Sequence, residues 1–138
     1  MTGLALAGCV PFAGFVHDET LAGPYRLVAV DADEQMAICR SVPGSDDCFG
    51  DGLPGPTVFA AGGDARYLVA ARHPYDIFGH QPMNRGVTEY YYIERLPGDG
   101  GAGTARDRTV GPLTGCQFLR ARARLGLPPF TRLFDDLR

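Results

Sequence analysis

The chain has 138 residues, 45% of them apolar and 21% charged, with 19 glycines, 11 prolines and a net charge of −3. This composition suits one globular domain, excludes a disordered chain, and at this length allows roughly 68% of the unfolded surface to be buried. The acidic balance argues against general nucleic-acid binding, and because all 13 basic residues are arginine, Schiff-base and P-loop lysine chemistry are excluded.

The chain begins MTGLALAGCVPFAG. Leu6-Ala7-Gly8-Cys9 matches the bacterial lipobox, where small residues fit the signal peptidase and the cysteine receives a diacylglycerol. The apolar run before it, Leu4 to Ala7, is shorter than the roughly 7–15 residues of a working signal core. The alternatives are a start upstream of Met1 or an accidental match. The reading taken is lipid attachment at Cys9, with residues 1–22 as a shortened lipoprotein signal and tether. Residues 23–138 are then a single α+β domain. No apolar stretch approaches 18 residues, so a membrane would be reached through the lipid and not through a spanning helix.

Residues 10–22 read as a linker that becomes ordered near Leu21. Tyr25 to Val30 and Gln35 to Arg40 alternate apolar and polar residues around the turn 31–34, which predicts a first hairpin. Residues 41–56 are rich in Pro, Gly and Asp and read as a loop. Cys39 and Cys48 flank part of it. A disulfide there would stabilise by roughly 2.5–3 kcal/mol in the chain-entropy picture, and an envelope location permits it. Thr57 to Ala61 and Ala65 to Arg72 predict a second hairpin, with Gly62 and Gly63 supplying the positive φ of a tight turn. Residues 74–86 form another loop. Thr88 to Arg95 is the strongest strand signal, with Tyr91 and Ile93 facing one way and Tyr90 and Tyr92 the other. Residues 96–105 are a Gly-rich loop, and Arg108 to Val110 a short strand.

Thr114 followed by Gln117 predicts a capping box. In the helix that follows, Phe118, Ala121 and Leu125 lie toward the sheet and Arg120, Arg122 and Arg124 mostly face solvent. Gly126 and Pro128-Pro129 end it. The tail from Phe130 to Arg138 reads as a short strand or turn. The predicted fold is α+β: an antiparallel meander of about five to six strands with one C-terminal helix packed on a face.

Several patterns bear on chemistry. Gly98 to Gly103 matches G-x-G-x-x-G, but no helix starts at once to meet a pyrophosphate, so it reads as a hairpin loop. Cys116, in the first helical turn, is a candidate thiolate with His73 or His80 as base; a cysteine packed under the helix is the commoner arrangement. His17, His73, Asp76 and His80 are metal-ligand types, but His73 to His80 lie in a Pro-containing loop without fixed spacing, which favours a solvated loop. The Arg120–Arg124 run, with Arg132 and Arg138, is locally basic and suits either anionic headgroups or a solvated helix face paired with Asp135 and Asp136. The tyrosine run suits either an exposed binding strip or a second small core. No catalytic residue, metal site or cofactor is assigned.

Three stretches together resemble a family of small bacterial lipoproteins of unknown function. They are Tyr67-Leu-Val-Ala-Ala-Arg-His-Pro74, Tyr90-Tyr-Tyr-Ile93, and Gly111-Pro-Leu-Thr114 with Phe118 and Arg122 to Leu127. The resemblance covers about residues 57–128 plus Cys9. It implies a lipobox, a strand ending near His-Pro, a Tyr-rich strand and a short helix opened by Gly-Pro-Leu-Thr; it carries no activity. The expectation is a lipid-anchored envelope protein acting as an interaction or structural module. A cytosolic inhibitor or immunity-type partner and a Cys- or His-dependent enzyme are the alternatives.

Overall fold

The computed structural model describes residues 15–76, 81–95 and 107–138. The elements are β1 (Phe15–Ala22), β2 (Tyr25–Val30), β3 (Ala37–Ser41), β4 (Cys48–Phe49), β5 (Val58–Gly63), β6 (Tyr67–Arg72), β7 (Glu89–Glu94), β8 (Arg108–Leu113), α1 (Gly115–Leu125) and β9 (Arg132–Leu133). The fold is α+β, but the strands form two antiparallel sheets where one meander was expected. The order is β1-β2-β3-β4 in the first and β8-β7-β6-β5-β9 in the second. The break falls in the Pro- and Gly-rich segment between Phe49 and Val58.

Alternation explains why two sheets form. In the first, Leu27 pairs with Ile38, and both side chains are fully buried. In the second, Leu68 pairs with Ile93 and Ala70 with Tyr91. These residues from both sheets share one core with Tyr25, Met36 and Val58. Each sheet thus hides an apolar face against the other, as sandwiched sheets do. The opposite face of the second sheet carries Tyr67, Val69, Tyr90 and Tyr92. It packs on Phe118, Ala121 and Leu127 from the helix layer in a second cluster. The tyrosine run is therefore split between two cores and is not an exposed strip.

The helix follows its local code. Thr114 accepts from the Gln117 backbone N–H while the Gln117 side chain accepts from Thr114 N–H, and Gly126 closes the helix at φ 68°. Phe118 stacks on Tyr90 at 5.1 Å and on Phe130 at 5.5 Å. Arg122 departs from the expected solvent-facing position. It is half-buried, with its guanidinium 5.3 Å and 5.5 Å from the Phe118 and Phe130 ring centres.

Other local expectations also shift. Residues 15–22, read as tether, form β1. Its inner residue Leu21 packs in the core, so burial and pairing with β2 order a polar-looking stretch. Gly62 and Gly63 lie in β5, and neither has a positive φ; the turn is built instead by Asp64, whose carboxylate accepts from the N–H groups of Arg66 and Tyr67. The short strand expected at Arg108 to Val110, β8, runs on through Gly111 and Pro112 to Leu113. The tail holds both a short strand, β9, and a 3-10 turn, Asp135–Leu137.

Candidate functional site

Cys39 and Cys48 are joined by a disulfide, with Cα atoms 5.5 Å apart. It links β3 to β4 beside the Arg40–Phe49 and Ser41–Cys48 pairs. Arg40, whose side chain faces the opposite way from Cys39, reaches across to the second sheet. Its Nη1 lies 2.7 Å from Asp107 Oδ2, while the Tyr25 hydroxyl donates to the other Asp107 oxygen. Arg40, Asp107, Phe49, Asp51, Gly52 and Leu53 line a depression of about 270 Å³. Thr109 Oγ1 donates to the Gly52 carbonyl at 2.5 Å and holds its rim.

A larger cleft of about 330 Å³ opens where β1, the 3-10 turn Asp33–Gln35 and the C-terminal tail meet. Met36, Phe134 and Leu137 give it an apolar floor; Asp33, Asp135 and Asp136 bring carboxylates to its wall. His17 stands at the edge, perpendicular to the Phe134 ring at 5.2 Å. The tail is held by backbone bonds, Thr131 N to Ala61 O at 2.9 Å and Phe134 N to Phe59 O at 2.8 Å. Arg85 adds two, donating to the carbonyls of Asp136 and Arg138.

Glu19 couples this cleft to the fold. Its Oε1 accepts from Arg132 Nε at 2.5 Å and its Oε2 lies 2.6 Å from His17 Nε2. Burial pushes the Glu19 carboxyl up, but the hydrogen bonds to Arg132 and His17 and the charge on those groups outweigh it and hold Glu19 below its ordinary range. A carboxylate held lower in the folded than in the unfolded chain stabilises the fold above the ordinary carboxylate range. That contribution is lost as pH falls through the depressed folded value. Glu19 and Arg132 are 30% and 39% exposed, so the pair contributes less than about 1 kcal/mol. Glu19→Gln should lower the melting temperature slightly at neutral pH and leave it unchanged once both chains are fully protonated. A difference that persists in acid would assign the effect to packing and not to charge.

The predicted chemical candidates are not brought together. Cys116 is free and exposed on the first turn of α1, contrary to a cysteine packed beneath the helix. His73 is buried, not solvated. It stacks on Phe59 at 4.4 Å and its Nδ1 lies 2.8 Å from the Val87 carbonyl. Among the described residues its Nε2 has no hydrogen-bond partner, and no hydrogen bond joins it to Cys116. His80, Cys9 and the Gly98–Gly103 loop lie outside the described residues. Among the described residues no group of three His, Cys, Asp or Glu side chains is placed to hold a metal ion. His17, grouped in the sequence with His73, instead joins Glu19 and Arg132. No local signal marks that trio, since Glu19 and Arg132 are 113 positions apart.

Compared with protein-family models, curated proteins and solved structures, the chain finds no match.

Proposed function

We propose that the protein is a bacterial cell-envelope lipoprotein, tethered through Cys9, whose folded part is a non-catalytic interaction or structural module. The observation that carries the location is the Cys39–Cys48 disulfide, a bond that forms and persists in oxidising compartments and is rare in the cytosol. No described helix is long and apolar enough to cross a membrane, so a lipid on Cys9 is the proposed means of attachment. The interaction role rests on the larger cleft, a concave surface that sets Met36, Phe134 and Leu137 beside the carboxylates of Asp33, Asp135 and Asp136.

Thiol counting with intact-mass measurement tests the reading. Protein recovered from the envelope under denaturing, non-reducing conditions should present one titratable thiol, Cys116, with Cys39 and Cys48 oxidised and diacylglycerol mass on a peptide beginning at Cys9. Four titratable thiols and no lipid mass would overturn it in favour of a cytosolic binding protein.

A further inference from the structure

Helix α1 has a second face that the core does not use. At 3.6 residues per turn, Leu119, Ala123 and Cys116 fall within an arc of about 60°, and Arg120 and Arg124 follow it immediately. All five are exposed. Leu119, at 59%, is the most exposed of the large hydrophobic residues described. The buried face, Phe118 and Ala121, points the other way into the second cluster. The helix carries Arg120, Arg122 and Arg124 and no acidic residue, in a chain whose net charge is −3. Arg120 and Arg124 take part in no ion pair among the described residues, whereas Arg26, Arg40, Arg72, Arg108, Arg132 and Arg138 each have one. Of the basic group, Arg138 pairs with Asp135, and among the described residues no helix arginine pairs with Asp135 or Asp136.

We propose that this exposed face of α1 docks on the surface of a bilayer rich in anionic phospholipid, with Leu119 entering the headgroup boundary and Arg120 and Arg124 meeting the phosphates. Charge complementarity selects the occupant. Two exposed arginines with no ion pair among the described residues, beside an exposed leucine, form the polar and apolar halves of an interfacial helix. A second copy meeting the same face would set arginine against arginine. Nucleic acid would call for aromatic side chains to stack on bases, and Phe118 is turned inward. The inference rests on the envelope reading only for where such a surface is met.

The test uses the full chain purified without an acyl group, so loss of vesicle affinity and absence of lipid on Cys9 are separate results. Partitioning is measured on vesicles of phosphatidylglycerol and phosphatidylcholine, and on phosphatidylcholine alone. Binding should favour the anionic vesicles and weaken with salt. Arg120→Gln with Arg124→Gln should lower it about 30-fold, which is about 2 kcal/mol at 1.4 kcal/mol per tenfold. Leu119→Ala should lower it about fivefold on the same vesicles. Circular dichroism should be unchanged in both variants, since none of these side chains is buried. Equal partitioning on the two vesicle types, or wild-type partitioning by the arginine double variant, would overturn the proposal. Binding to polyglutamate without binding to either vesicle would also overturn it and assign the ridge to an acidic protein.

Discussion

Arg40→Ala should lower the unfolding free energy by about 3 kcal/mol, the low end of the cost of breaking a buried ion pair. The Asp107 side chain is only 7% exposed and Arg40 only 25%. Without Arg40, the carboxylate stays out of water with the Tyr25 hydroxyl still donating to it from the first sheet. At this chain size the loss corresponds to a fall of about 10 °C in melting temperature. The pair spans both sheets, from β3 to the residue just before β8, so its loss should also loosen the smaller depression. Urea denaturation measures it. Arg40→Ala with Asp107→Ala should cost less than the two single variants added together, because the partners fail together. A single-variant loss under about 0.5 kcal/mol would mean that the pair is no more than a surface contact.

Gly62→Ala should cost about 3 kcal/mol or more, among the larger effects of a single substitution. A Cβ at Gly62 would overlap the Pro129 carbonyl oxygen and sit 3.1 Å from its carbonyl carbon and 3.3 Å from Phe130 Cα. These are backbone atoms and have no rotamer by which to move aside. To accommodate the methyl group, the tail must leave β5, breaking the Ala60–Leu133 and Ala61–Arg132 pairs. That would also withdraw Arg132 from Glu19 and displace Leu133 and Phe134 from the larger cleft. Gly63→Ala is the control. Its Cβ would meet Leu68 Cδ2 at 2.8 Å and Ala22 Cβ at 2.9 Å; the leucine tip can turn, and the Ala22 methyl can be cleared only by a small shift of the edge strand β1, so the cost should be smaller than at Gly62 but not zero. Denaturation of both variants, with hydrogen exchange at the Thr131 amide, reads the result. A Gly62→Ala protein as stable as wild type, with Thr131 still protected, would contradict the clearance argument.

The two glycines illustrate how far the sequence reaches. Gly62-Gly63 between two strands reads as a turn, because the turn is the commonest use of paired glycine at that place. The actual requirement at Gly62 comes from Pro129, 67 positions away, and no local pattern encodes it. The same division runs through the candidate site. The Cys39–Cys48 bond was legible because a short loop brings its ends together. The Glu19–Arg132 and Arg40–Asp107 contacts were not, because each joins segments whose approach depends on how the sheets stack. His73 looked like a loop histidine from its Pro74 neighbour; packing against Phe59 turned it inward.

Local chemistry alone determined the β2–β3 and β5–β6 hairpins, the tyrosine strand with its two faces, and the capping box and glycine stop of α1. Each depends on neighbours within a few residues: side-chain alternation, backbone hydrogen bonding by Thr114 and Gln117, and the left-handed freedom of Gly126. Tertiary structure decided that the strands divide into two sheets, that residues 15–22 become an edge strand, that Tyr90 and Tyr92 face a helix, and that Leu119 is left outside beside two exposed arginines. The reason is that alternation marks which residues prefer burial without naming the surface that buries them. That surface is chosen only when all the apolar faces compete to leave water together.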